Sequence, residues 1–214
     1  KEIEITQNRS LEFSLLISIP SAVGLYILSA PIINIFFERG SFLKDDTIYT
    51  AQVLSLFSIG LPAYILIKIL VICFFARENT KTPLYISSIS VLINIVLSLL
   101  LIGSMREMGI ALATSISAWV NALLLLFILK FQGSLILDKI FIKNIFKIIT
   151  STIVMLIIGN FLIKLLFVDF ANLEFLVKLL FLILVIVCCK IVYLVMIFML
   201  KVLSFKELKG YMKK

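Results

Sequence analysis

The 214 residues are 62% hydrophobic, with a mean hydropathy of +1.20, a formal net charge of +8 and no histidine. Soluble domains carry roughly 45–50% apolar residues, and a water-soluble all-helical fold of this length has too little interior to hide the excess, so the class is an all-α polytopic membrane helix bundle. The cations collect between apolar runs and form no patch interleaved with aromatics, which excludes nucleic acid as the partner, and the missing histidine removes the usual general base and the commonest metal ligand.

The chain opens on "KEIEITQNRS", which has the shape of neither a signal nor a transit peptide. It reads as the middle of a longer protein. Six apolar segments follow, each long enough to cross about 30 Å of hydrocarbon at about 1.5 Å per residue. They are predicted at Leu11–Phe37, Thr47–Ala76, Pro83–Gly103, Met108–Phe131, Ile145–Val168 and Leu173–Leu200. No run alternates with period two, so a β-barrel is excluded. Small and polar residues mark three of the first four spans: Ser18, Pro20, Ala22 and Gly24 in the first, Ser90, Asn94 and Ser98 in the third, Gly109, Ser115 and Ala118 in the fourth. Such residues let helices approach closely in lipid, where packing drives association. The first four spans are therefore expected to form a packed bundle over residues 1–131, joined by a connector at 132–144 to a more peripheral terminal pair at 145–202, with a basic tail at 203–214.

If the spans alternate in direction, Lys1, Arg9, Arg77, Lys81, Lys130, Lys139, Lys143, Lys147 and Lys201, with the lysines of the tail, fall on one side. The other side receives Arg39, Lys44 and Arg106, plus Lys164 and Lys178 if these two snorkel outward. The positive-inside rule then places both ends of the segment in the cytoplasm. The stretch "ILDKIFIKNIFK" from Ile136 to Lys147 has two readings: an amphipathic helix lying on the cytoplasmic face, or a connector continuous with the fifth span.

Every acid lies at or near a segment end, so no mid-membrane carboxylate is available for a proton relay or a sodium site. Serines without a histidine do not support hydrolysis, so no enzyme is expected. Cys73 and the Cys188–Cys189 pair have no metal or disulfide spacing and read as small apolar fillers; no cofactor is predicted. Lys68 stands out. Nine residues before Arg77, it lies roughly 12–14 Å inside the span, where an ammonium costs on the order of 2.5–3.5 kcal/mol. It either lines a water-filled path for an anionic substrate or snorkels. Lys190, deep in the last span, reads as structural because its helix has few small or polar companions. Pro62, after Gly60, removes a helix hydrogen bond and is either a pivot or a packing irregularity. Asn94 and Asn121 read by default as interhelical hydrogen-bonding amides, with substrate contact as the alternative that makes them candidate site residues.

Taken together, "RGSF" at Arg39–Phe42, "GLPAYILIKIL" around Lys68, "FFARENTKTP" from Phe74 to Pro83 and "GIALATSISAWVNALLL" in the fourth span resemble the C-terminal half of the MurJ (MviN) family, the lipid II flippases of bacterial peptidoglycan synthesis. The resemblance covers about Leu11–Lys130; the last two spans match only as hydrophobic segments. It implies the last six of fourteen helices in a multidrug/oligosaccharidyl-lipid/polysaccharide exporter fold that works by alternating access in the bacterial inner membrane. The substrate it implies is a polyprenyl-pyrophosphate-linked glycan, with a cationic cavity for the headgroup, Lys68 among its cations, and a groove involving the last two helices for the lipid tail. It also implies an N-terminal lobe, absent from these residues, that carries most of the family's cavity arginines. A related exporter of polyprenyl-linked polysaccharide or O-antigen, and an inactive truncated fragment, are the alternatives.

Overall fold

The computed structural model describes residues 2–133, 135–166 and 173–202, with side chains from Thr6 onward. The "DFAN" connector and the basic tail at 203–214 lie outside the described residues. The described residues form six helices: α1 (Glu2–Phe37), α2 (Lys44–Phe75), α3 (Lys81–Met105), α4 (Glu107–Phe131), α5 (Lys139–Leu166) and α6 (Phe175–Met199). All six are long and apolar enough to cross a membrane, as the hydropathy predicts. Neighbours in sequence run antiparallel. One end of the bundle gathers Arg9, Arg77, Lys81, Lys130 and Lys139 and is called the basic end; the other carries the α1–α2 and α3–α4 turns.

Two boundaries differ from expectation for the same reason. α1 starts well before Leu11 and α5 starts at Lys139, because polar residues that hydropathy discards pair with each other. Asn8 Nδ2 donates to the Ile136 carbonyl at 2.8 Å, and Asn144 Nδ2 donates to Glu12 Oε1 at 2.8 Å. Leu135 and Phe141 are buried against α1, α2 and α4. Of the two readings of 136–147, the continuous one is the observed one: its residues from Lys139 onward are the first turns of α5.

The tight turns have local causes. Between α1 and α2, Glu38 Oε2 accepts from Asn34 Nδ2 and from Thr47 Oγ1, both at 2.7 Å, and Gly40 adopts φ +64°. The carboxylate sits where α1's negative end would repel it; two charge-assisted bonds offset that. Asp46 Oδ2 takes the Leu43 N–H at 2.8 Å and opens α2. Between α3 and α4 a single residue, Arg106, turns the chain at φ 50°, ψ −133°. Gly109 then lets α4 leave close to α3, since a Cβ there would lie 2.8 Å from the Leu101 backbone.

α1 separates two apolar cores. On one side Leu11 and Leu15 meet Ala63, Leu66 and Leu70 of α2 and Ala118, Ala122 and Leu125 of α4. On the other, Leu16, Leu28 and Ile35 meet Ile148 and Met155 of α5 and Leu182, Val185, Cys189 and Ile197 of α6. Tyr193 of α6 adds a hydroxyl bond to the Leu16 carbonyl at 2.6 Å, and Lys147 Nζ reaches the Lys201 carbonyl at 3.4 Å. The expectation of four bundled spans and a peripheral pair needs correcting at α3. Only 11% of its apolar window is buried, against 28% for α5 and α6, so α3 is the edge helix, held chiefly by α4. Its small residues serve one seam with α4 and leave the rest of its surface uncovered.

Candidate functional site

α2 and α4 meet closely at the point where the α2 hydrogen-bond ladder is interrupted. Pro62 sits inside α2 and has no N–H, so the Ser58 carbonyl one turn earlier loses its helical donor. The carbonyls on either side of that gap are taken by α4: Ser115 Oγ donates to Leu56 O at 2.7 Å and Trp119 Nε1 donates to Ile59 O at 2.9 Å. Gly60 makes the approach possible, because a Cβ there would lie 2.8 Å from Ser115 Oγ and 3.1 Å from Ser115 Cα. α2 therefore passes through its proline as one helix, braced from outside.

Those two bonds also set the register of α2 against α4, and with it the depth of each predicted site residue. Lys68 is exposed, six residues beyond Pro62 towards the basic end. Buried Ala63, Leu66 and Leu70 face the core, and Lys68 lies about 140° around the helix from Ala63 at about 100° per residue. Asn121 is 8% exposed, with Oδ1 lacking a hydrogen-bond partner among the described residues; its register puts it roughly 10 Å from the Lys68 level along the axis. Asn94 belongs to the α3–α4 seam, where Nδ2 donates to Thr114 Oγ1 at 3.4 Å and Oδ1 accepts from Ser98 Oγ at 3.0 Å. Thr114 in turn donates to Ile110 O at 2.7 Å. By register Asn94 lies roughly 20 Å from the Lys68 level. The three residues thus sit at three depths and do not converge. Asn94 makes the interhelical bond that its default reading describes.

A second feature is a groove at the last two helices, whose α1 wall and lining lysine were not read from the residues. A groove of about 380 Å³ opens between α1, α5 and α6, walled by Leu16, Pro20, Gly24, Leu25, Met155, Ile186 and Tyr193, with Ser21 and Lys190 as its polar members. Pro20 and Gly24 leave the surface of α1 low here, and no Cβ contact fills the space at Gly24. Lys190 is exposed on this wall. The scarcity of polar companions on α6 concealed this, because the companions come from α1. A small residue every four positions on α1, at Pro20 and Gly24, was the signal that pointed to a depression.

Among the described residues, six membrane-length helices, with an exposed cation on one surface and an apolar groove on another, define an all-helical polytopic membrane protein. The family model described as "Lipid II flippase MurJ" matches residues 1–186. The chain belongs to that family. It is 44% identical over 127 residues to the probable lipid II flippase MurJ of Rhizobium meliloti (strain 1021), covering 59% of this chain and 24% of that protein. It is 36% identical over 151 residues to the lipid II flippase MurJ of Thermosipho africanus (strain TCF52B), covering 71% of this chain and 30% of the relative. A solved structure titled "Lipid II flippase MurJ, inward closed conformation" superposes with a TM-score of 0.69 at 32% identity, over 90% of this chain and 38% of that one. The chain therefore spans less than a third of the length of these curated relatives.

Proposed function

We propose that this chain is the C-terminal portion of a transporter that moves lipid II, a polyprenyl-pyrophosphate-linked glycan, across the bacterial cytoplasmic membrane by alternating access. The observation that carries the reading is the family match over residues 1–186, supported by the 32% identity and TM-score of 0.69 to a flippase structure. On this reading the segment works against an N-terminal lobe outside its 214 residues, and the surface of α2 that carries Lys68 faces the water-filled space between them. Lys68 then supplies a positive charge for the pyrophosphate. Its burial cost is offset by water and by the anion. The groove between α1, α5 and α6 suits the polyprenyl tail, being walled almost wholly by apolar atoms. The basic end faces the cytoplasm by the positive-inside rule.

The test is complementation. The whole transporter is expressed in cells depleted of their own lipid II flippase, and its purified form is reconstituted with labelled lipid II. Restored growth together with lipid II translocation supports the reading. Translocation of an O-antigen-type lipid-linked glycan with none of lipid II redirects it to another exporter of the superfamily, and no translocation of either overturns it.

A further inference from the structure

The mid-span lysine depends on a helix whose own hydrogen-bond ladder is interrupted six residues earlier. Nothing within α2 restores it, since Ser58 Oγ is turned to the Ser55 carbonyl at 2.6 Å, and α4 braces the weakened stretch at the carbonyls on either side, Leu56 O and Ile59 O. The brace thus has two anchors on neighbouring turns of α2. A single anchor would permit rotation about itself. Two anchors, three residues apart, fix both the rotation and the bend.

A lysine Nζ stands about 9 Å from its helix axis when extended, so a rotation of about 30° swings it by roughly 5 Å. That is enough to move an ammonium from a water-filled space to a lipid or protein wall. Buried Ala63, Leu66 and Leu70 fix which side of α2 faces the core, while Leu61, Ile65, Ile67 and Ile69, nearer Lys68, are half-buried aliphatic side chains that tolerate a rotation of a few tens of degrees. The indole N–H of Trp119 is directional in a way that these side chains are not.

We propose that Trp119, seconded by Ser115, is a positioning residue that sets the rotation of α2 and thereby aims Lys68 into the space where the anionic headgroup is handled. The proposal rests on the flippase reading for what Lys68 meets, but its geometric content stands on the α2–α4 bonds. Trp119 touches no substrate. Its indole acts through the Ile59 carbonyl, next to the Ser58 carbonyl whose helical donor Pro62 withholds.

The experiment uses the whole transporter, in native membranes, with Cys73, Cys188 and Cys189 replaced by alanine and a single cysteine placed by Lys68→Cys. The rate of its modification by a membrane-impermeant methanethiosulfonate reagent is compared in three backgrounds: Trp119 retained, Trp119→Phe, and Trp119→Phe with Pro62→Ala. Phenylalanine keeps an aromatic ring and removes the N–H; alanine at 62 returns a donor to the Ser58 carbonyl. The expected result is a fall of about tenfold or more in Trp119→Phe at unchanged abundance, recovering at least halfway when Pro62→Ala is added. A merely structural tryptophan would not be rescued by a backbone donor on another helix. Equal rates in all three backgrounds, or a loss that Pro62→Ala does not recover, overturns the proposal. If Trp119→Phe fails to accumulate, Ser115→Ala is substituted, with the same expected fall and the same rescue. No modification of the Lys68→Cys thiol even with Trp119 in place overturns the water-facing position of Lys68 instead, so the failure of the two ideas is told apart.

Discussion

Replacing Gly60 by alanine tests the α2–α4 contact most sharply. The new methyl carbon would meet Ser115 Oγ at 2.8 Å, Tyr64 Cε2 at 3.0 Å and Ser115 Cα at 3.1 Å. Carbon atoms pack at about 3.5–4.0 Å, so the contact with Cα cannot be relieved by a rotamer change: α4 must retreat by roughly 0.4 Å. The hydroxyl can rotate away only by giving up its 2.7 Å bond to Leu56 O. An interhelical hydrogen bond in a membrane contributes about 0.6–1.7 kcal/mol, and overpacking a close-fitted site costs about 1–3 kcal/mol. Gly60→Ala should therefore destabilise by about 2–4 kcal/mol. Gly159→Ala is the control, because its Cβ meets only the tips of two side chains, Ile27 Cδ1 at 2.6 Å and Cys189 Sγ at 3.0 Å; side-chain tips can yield, at a cost of about 0.5–1.5 kcal/mol. Reversible SDS unfolding of the purified whole transporter measures both. A Gly60→Ala variant as stable as the parent, or less affected than Gly159→Ala, would refute the reasoning.

Three further outcomes follow from single contacts. Arg106→Gly should stabilise by about 1 kcal/mol, since φ 50°, ψ −133° is a conformation that glycine alone adopts freely; an unchanged unfolding midpoint would show that the turn is not strained. Tyr193→Phe removes the 2.6 Å bond to Leu16 O and should cost about 1 kcal/mol, read as faster proteolysis at the α5–α6 pair; protease resistance equal to the parent's would contradict it. Ser18→Ala should be neutral or stabilising by up to about 1 kcal/mol, because Ser18 is fully buried and its hydroxyl has no partner among the described residues; a loss of stability in the same SDS titration would show that the hydroxyl is satisfied in the membrane.

The number and placement of the helices were legible in the sequence because each span is a continuous apolar run bounded by charges, and hydropathy responds to little else. Hydropathy shortens the helix ends where polar side chains find partners on other segments, as Asn8 does in the Ile136 carbonyl and Asn144 in the Glu12 carboxylate. One chain position carries no sign of a partner 128 residues away. The small residues of α3 point to a buried helix, but small-residue spacing reports one seam and says nothing about the other two-thirds of the circumference. Lys68 can be singled out from its depth alone. Its orientation cannot, since that depends on Ser115 and Trp119 of a different helix. Inspection of α6 by itself makes Lys190 look structural, while the groove it lines is shaped by Pro20 and Gly24 of α1.

On the proposed reading, the Lys68 ammonium of α2 faces water and meets an anion. Translocation of labelled lipid II by the reconstituted transporter, parent against Lys68→Ala at matched abundance, probes that directly. Loss of a charge-assisted contact of about 1.5–3 kcal/mol predicts a rate lower by about tenfold or more, with Lys68→Arg retaining most of the activity. A parental rate in Lys68→Ala would contradict it.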